Sequence, residues 1–407
     1  MDTLFWIGVL LIAGYAAGRV SERFRLPKVT GYMLIGMVLS PSVTNLLPVS
    51  FIEHTGPITH LALAVIAFMI GGSLKFETIK KLEKSIFCIM FSASEMTFLV
   101  VTLGLVLLLP YSLSERFAAG GGNTLFETAL FLGAIGAATA PAAVLAVVHQ
   151  YRAKGPLTTT LLGVVATDDA IALINFSLAL AVVAFLNGNG TDTLLSALQA
   201  PLVSIGVSVL AGAGVGWLQG QHINRISQES NLLISTFGLL LLLYAAMEHF
   251  AWDALLACMS YGLVLTNTVR KGTEVFRMIQ HHFEEIIFVL FFIISGATIE
   301  LLVVAEVWPV ALLYVVLRMV GKTVGSRIGA EMVGAPETVR NYIGLAQMPQ
   351  AGVAIGLALT LFHDAAFGYV GVIVLNTVIA ATMINEIIGP LLLKYVLIKS
   401  GEAKEEP

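Results

Sequence analysis

Charge is what this chain of 407 residues has least of. Asp, Glu, Lys and Arg supply 12% of it, about half the roughly 25% that a water-facing globular domain carries. Cysteine is almost absent too. Cys88 and Cys258 both lie in apolar stretches, show no metal or redox spacing, and read as small buried hydrophobes. There is no basic excess: a net charge of −4 and a pI near 6.1 offer nothing to a nucleic acid. No basic leader precedes the first apolar segment, which starts directly after Met1 and Asp2 and reads as a retained span rather than a signal peptide. What the chain does have is hydrophobic surface. Apolar residues make up 57% and mean hydropathy is +0.89, in runs of about twenty residues, enough to cross roughly 30 Å of hydrocarbon at 1.5 Å per residue.

The apolar runs predict an all-α polytopic membrane protein with about thirteen transmembrane helices. They fall near 3–19, 29–48, 57–74, 85–110, 124–149, 157–186, 193–218, 231–249, 252–269, 283–302, 305–330, 340–362 and 367–395. The loops test this count through the positive-inside rule. On one side fall Arg19, Arg23, Arg25 and Lys28, then Lys75, Lys80, Lys81 and Lys84, then Arg152, Lys154 and Arg225. The same side continues with Arg270, Lys271, Arg277, Arg327, Arg340, Lys394, Lys399 and Lys404, which makes 19 of the 22 basic residues. Arg116 is alone on the other side, and Arg318 and Lys322 fall inside a span. The N-terminus is thus expected outside and the C-terminus in the cytoplasm of a plasma (inner) membrane. Thirteen spans accommodate two inverted six-helix repeats, spans one to six and eight to thirteen, joined by a linker span.

Spans five and twelve each carry a proline deep in their interior. Span five reads Gly136-Ala137-Ala138-Thr139-Ala140-Pro141, and span twelve reads Gln347-Met348-Pro349-Gln350-Ala351-Gly352. Proline removes a backbone donor and clashes with the preceding turn, so both helices are expected to break there. The breaks fall at similar depth in corresponding members of the two repeats, a pattern that points to a midplane ion site.

Ionisable groups inside a bilayer cost about 2.5–3.5 kcal/mol each on insertion scales, and span six holds two side by side, Asp168 and Asp169. Adjacent positions on a helix point about 100° apart, so one acid can meet a partner helix while the other meets a cavity. Arg318 and Lys322 in span eleven are four residues apart and share a face. Lys322 matches the Asp pair in depth and is expected to pair with Asp168, leaving Asp169 as the exposed carboxylate. The alternative gives that pairing to Arg318, or sets Arg318 on a broken-helix carbonyl. Glu95 in span four either completes an ion shell or bonds a neighbouring helix. Asn385 and Glu386 are expected to make interhelical contacts near the breaks, Glu284 and Glu285 to form a solvated face, and His281, His282 and His363 to lie at loop edges.

Taken together, the Asp-Asp pair, the Thr139-Ala140-Pro141 break, the Gly321-Lys322-Thr323-Val324-Gly325 segment and the Met348-Pro349-Gln350-Ala351-Gly352 break resemble the cation:proton antiporter superfamily. The likeness is to its second branch, the NapA-like and Kef-like membrane domains. It includes the Leu26-Pro27-Lys28-Val29-Thr30-Gly31-Tyr32 entry to span two and the Gly71-Gly72-Ser73-Leu74 end of span three. The sequence runs to Pro407, and the nucleotide-binding domain of Kef-type members is not expected.

The resemblance implies a dimerisation domain and a core domain with two crossed, unwound helices. On this chain the scaffold helices would be 1–84 and 221–304, the core helices 85–190 and 305–398, with a linker helix at 191–220 and a cytoplasmic tail at 399–407. It implies that Asp169 binds cation or proton, that Asp168 pairs with Lys322, and that the partners are small inorganic cations, protons, the lipid bilayer and a second copy of the chain. No cofactor beyond the transported ions is implied. An Asn-Asp pair marks electroneutral members, so Asp168 implies electrogenic exchange. Some members carry an acid after the threonine of span five; here Ala140 follows Thr139, which leaves Thr139 as a backbone or hydroxyl ligand, with Pro141, Pro349 and Gln350 supporting the site.

The physics is consistent with this. A small hard cation prefers carboxylate and carbonyl oxygens, and a proton on the same carboxylate cancels the charge that holds the cation. Na+ is expected first, with Li+ or K+ as alternatives. A K+/H+ exchanger and a sodium-coupled symporter of an organic anion are rival readings within transport. An intramembrane aspartyl protease needs aspartates on facing helices and is disfavoured by two adjacent ones. A passive channel is the third rival.

Overall fold

The computed structural model describes residues 3–52, 54–74, 76–112, 121–186, 194–223, 226, 228–298, 301–363 and 367–404. Of the positions used to assign sidedness, Lys75, Arg116 and Arg225 lie outside these residues. Everything regular among the described residues is helical, as the composition requires. Backbone groups in hydrocarbon must be satisfied within their own segment.

In chain order the helices are α1 (Thr3–Arg23), α2 (Lys28–Leu39), α3 (Val49–Ile52), α4 (Gly56–Ser73), α5 (Phe76–Ser112), α6 (Gly121–Gly136), α7 (Pro141–Gln150), α8 (Pro156–Val165) and α9 (Asp168–Leu186). They continue with α10 (Leu194–Ile223), α11 (Glu229–His249), α12 (Ala254–Thr268), α13 (Arg270–His282), α14 (Glu284–Ala297), α15 (Leu301–Met332), α16 (Glu337–Ala346), α17 (Gly352–His363) and α18 (Gly368–Lys399). By length and apolarity nine spans among the described residues can cross a bilayer, counting α6 with α7 and α8 with α9, and the bent pair α13–α14 makes a tenth. Three of the thirteen expected spans coincide with helices that are apolar but shorter, Lys28–Leu39, Ala254–Thr268 and Gly352–Phe362.

Several boundaries differ from expectation for local reasons. The helix expected over 29–48 stops at Leu39, because Pro41 forces Ser40 out of the helical region, to φ −60° and ψ 156°. The basic cluster Lys80, Lys81 and Lys84 sits on the first turns of α5 rather than in a loop. The stretch after Val269, expected as a loop, forms α13, which buries Gly272, Val275 and Ile279 on one face.

The chain divides into two compact units, Met1–Lys81 with Leu202–Thr298, and Leu82–Pro201 with Ile299–Pro407. In the first unit, two helix pairs approach closely through glycines. A Cβ on Gly71 of α4 would strike the Met259 carbonyl of α12, and one on Gly262 of α12 would strike the Phe68 carbonyl of α4. Gly36 of α2 meets the Ile293 carbonyl of α14, and Gly296 of α14 meets the Met33 carbonyl of α2 in the same way. Apolar helices gain little from hiding hydrophobic surface from lipid, so small residues that admit close backbone contact hold them together. Glu284 is buried here, not solvated as expected, whereas Glu285 is 66% exposed and pairs with Lys28. Cys258 is buried, but Cys88, expected to be buried, is only partly so.

The second unit contains both broken spans. Its apolar centre is formed by α5, α6, α9, α15, α17 and α18, with Leu105, Phe131, Phe176, Tyr314, Leu361 and Val374 among the buried residues.

Candidate functional site

Both proline breaks occur in the second unit. The first separates α6 from α7 at 137–140, and the second separates α16 from α17 at 347–351. Pro141 begins α7, where its missing N–H costs nothing because the first helical residues have no intrahelical acceptor. Pro349 sits in the extended segment itself, and its carbonyl accepts the backbone N–H of Ala140 at 2.8 Å. The two unwound segments are therefore bonded to each other.

A third interruption lies in span six, where α8 ends at Val165 and α9 restarts at Asp168. Both aspartates thus occupy the first turn of a helix, where unpaired backbone N–H groups and the helix dipole favour negative charge. Asp168 is fully buried and Asp169 half-buried.

Facing them is one stripe of α15. Tyr314, Arg318, Lys322 and Ser326 recur every four residues and all are fully buried. Lys322 Nζ lies 3.0 Å from Asp168 Oδ2, and it also reaches the Ala137 carbonyl at 2.5 Å, the Thr139 hydroxyl at 3.1 Å and Gln347 Oε1 at 3.4 Å. Thr139 donates its own hydroxyl to the same Asp168 oxygen at 2.5 Å. Asp169 is near enough to Lys322 to contribute to its electrostatic environment.

Arg318 takes the other role considered for it. Its guanidinium donates to the carbonyls of Gly136 at 3.0 Å and Ala138 at 2.7 Å in the first break, and of Met348 at 2.8 Å and Gln347 at 3.2 Å in the second. A planar fork with five donors suits this bridge, because the ends of broken helices present several unsatisfied carbonyls at once. Gln350 extends the lattice: its amide nitrogen donates to the Ile135 carbonyl at 3.2 Å and the Tyr314 hydroxyl at 2.9 Å, and its oxygen accepts from Asn385 at 3.0 Å. Gln347 donates to Ser326 at 2.8 Å.

The carbonyls of the breaks are thus largely engaged by protein donors. Glu95 of α5 accepts from Asn175 of α9 at 3.2 Å, an interhelical bond. Glu386 is buried beside Asn385 on α18. His281 and His282 are exposed at the end of α13. Among the described residues no three His, Cys, Asp or Glu side chains gather into a metal site.

Two adjacent carboxylates at the start of α9, a fully buried lysine paired with the first of them and two mutually bonded helix breaks suit ion and proton exchange. The deciding observation is a match over residues 7–399 to the family described as sodium/hydrogen exchanger, transmembrane. The chain belongs to the sodium/hydrogen exchanger family. It is therefore a multi-pass membrane antiporter of the cation/proton exchange class, a transporter and not an enzyme.

Similar exchangers include the Na(+)/H(+)-K(+) antiporter GerN of Bacillus cereus, 23% identical over 412 residues that cover 95% of this chain and 97% of that protein. The Na(+)/H(+) antiporter NhaS4 of Synechocystis is 24% identical over 370 residues, covering 84% and 87%. Two solved structures of the sodium proton antiporter MjNhaP1 from Methanocaldococcus jannaschii superpose with TM-scores of 0.71 and 0.76. They do so at 16% and 17% identity, over 98% of each chain, which makes this a likeness of fold.

Within this exchanger, Tyr314, Ser326, Gln347 and Asn175 were not singled out by the sequence. The signal for the first two was present: polar positions at 314, 318, 322 and 326 repeat with the helical period through an apolar segment.

Proposed function

We propose that this exchanger moves Na+ against protons, with Asp169 alternately holding cation and proton. One observation carries the reading. Asp168 is committed to Lys322 and Thr139 in a fully buried cluster, while the adjacent Asp169 is partly exposed. The second unit would be the moving core, and the first the scaffold on which two copies of the chain associate.

Electrogenic exchange needs a second proton, and Lys322 is the group placed to give it. With Asp168 and Asp169 ionised and Lys322 and Arg318 protonated, the site is neutral. Bound Na+ raises it to +1, as a proton on Asp169 does, so exchange at Asp169 alone is one for one. Release of a further proton, from Lys322, restores neutrality. The cycle then moves more than one proton per cation. The plasma membrane, with the N-terminus outside, is the orientation that the basic residues support.

K+ is the favoured second cation, because the name of the similar GerN antiporter includes it. Proteoliposomes loaded with a pH-sensitive dye and challenged with Na+, Li+ and K+ test the reading. Cation-specific collapse of an imposed proton gradient in the wild type, absent in Asp169→Asn, is expected. Full flux in Asp169→Asn would sink the role of Asp169. Silence with all three ions would move the substrate outside the small cations, to sodium-coupled organic-anion symport.

A further inference from the structure

The first unit, which does not contain Asp168 and Asp169, holds a cavity of about 360 Å³ beside α1. Its two halves differ in chemistry. Leu11, Ile286 and Val289 form an apolar part, and Arg19, Glu22, Lys28 and Glu285 form a charged part. Along α1, Leu11 lies two turns deeper than Arg19, about 12 Å at the helical rise. The charged part sits at the turn between α1 and α2, where Arg19, Arg23, Arg25 and Lys28 cluster. Such clusters flank spans at headgroup depth. The α1 surface leading to the cavity is apolar and open, with Leu4, Ile12, Tyr15 and Val20 all more than half exposed.

We infer that this cavity binds an aminophospholipid, a phosphatidylethanolamine-type headgroup with its chains along α1. The charges select the class. A purely anionic headgroup would meet Glu22 and Glu285, and a purely cationic ligand would meet Arg19 and Lys28. A zwitterion carrying phosphate and primary amine satisfies both signs at once.

The acids are held in position for the amine. Lys28 Nζ lies 2.7 Å from Glu285 Oε1 and 3.3 Å from Glu22 Oε1, and the Tyr32 hydroxyl donates to Glu285 Oε1 at 3.3 Å. Glu285 is still 66% exposed despite these partners, which leaves it accessible to an ammonium donor. Arg19, exposed at the rim, supplies the fork that phosphate takes best. A primary amine donates three hydrogen bonds and choline none, so ethanolamine is preferred over choline. The volume exceeds that of one water, about 30 Å³ in the liquid, by an order of magnitude, which accommodates a headgroup.

The test is native mass spectrometry and thermal melting of the purified full chain with phosphatidylethanolamine, phosphatidylcholine and phosphatidylglycerol of matched chains. Retained adducts and a raised melting temperature with phosphatidylethanolamine alone are expected. Glu285→Gln should weaken that binding about tenfold, the size of one charge-assisted hydrogen bond. Arg19→Ala, at an exposed position that leaves folding intact, should weaken it similarly. Equal or tighter binding of phosphatidylglycerol or phosphatidylcholine overturns the inference. So does the absence of any adduct, as expected if a second copy of the chain closes the cavity.

Discussion

Lys322 and Asp168 form a closed ion pair, 3.0 Å from Nζ to Oδ2, with neither side chain exposed. Removing one member leaves an uncompensated buried charge, which costs about 3–5 kcal/mol. Lys322→Ala should therefore lower the melting temperature of the purified protein sharply. The double variant Lys322→Met with Asp168→Asn should recover most of that loss. A double variant as unstable as the single one would contradict the pairing.

Asp168→Asn alone separates stability from charge movement. It takes away the counter-charge of Lys322, which should then stay neutral throughout the cycle, so the variant should keep cation/proton exchange at Asp169 and lose net charge transfer. Currents on a solid-supported membrane, read against dye-measured proton flux, check this. An unchanged current per proton would remove Asp168 from the coupling.

Arg318 bridges four carbonyls of two unwound segments. The ammonium of Arg318→Lys is a point charge and cannot span them. The variant should insert into the membrane, melt at lower temperature and exchange at least tenfold more slowly. Wild-type flux in this variant would mean that the carbonyl bridge is dispensable.

The C-terminal segment does more than trail from the last helix. Glu402 accepts from the backbone N–H groups of Leu157 and Thr158 at 2.6 and 2.7 Å and from the Thr158 hydroxyl at 2.6 Å. It acts as the cap of α8, brought in from beyond α18 by a turn at Gly401, φ 77°. Glu402→Ala should cost about 1 kcal/mol, in the range of other lost caps. Hydrogen exchange at Leu157 and Thr158 should rise while that of α15 stays unchanged.

Gly389 of α18 faces the second break, where an added Cβ would come within 2.7–2.9 Å of Pro349. Gly389→Ala should destabilise by about 1–3 kcal/mol, the usual cost of overpacking. It should also slow exchange, because the displaced atoms belong to the unwound backbone. Unfolding curves and flux assays on the same preparation check both parts.

Much of this was legible before any coordinates. Pro141 and Pro349 marked the two breaks, but Pro309 and Pro390 sit inside the continuous helices α15 and α18, so proline on its own does not decide where a span unwinds. The Asp pair stood out because its flanks are apolar. The same reasoning read 29–48 as one span and missed that Pro41 ends the helix at Leu39. It also read span six as continuous, because nothing in Val165-Ala166-Thr167 breaks a helix by composition. Glu284, an acid at the end of an apolar run, is expected to be solvated, whereas in the fold it is buried.

By itself the sequence determined the membrane class, the all-helical fold and the burial of Asp168, Arg318 and Lys322. Hydropathy, proline chemistry and the cost of ions in hydrocarbon all act locally along the chain. Only the tertiary structure decided which cation meets which acceptor. Lys322 and Asp168 are 154 positions apart, and Arg318 reaches carbonyls 182 and 30 positions away. Depth along the span favours Lys322 for Asp168 already in the sequence, with Arg318 as the alternative, but the fold alone sets both cations against the aspartates and the breaks. Packing brought Lys322 to the carboxylate and Arg318 to the carbonyls, because the low dielectric leaves no buried polar group without a partner at small cost.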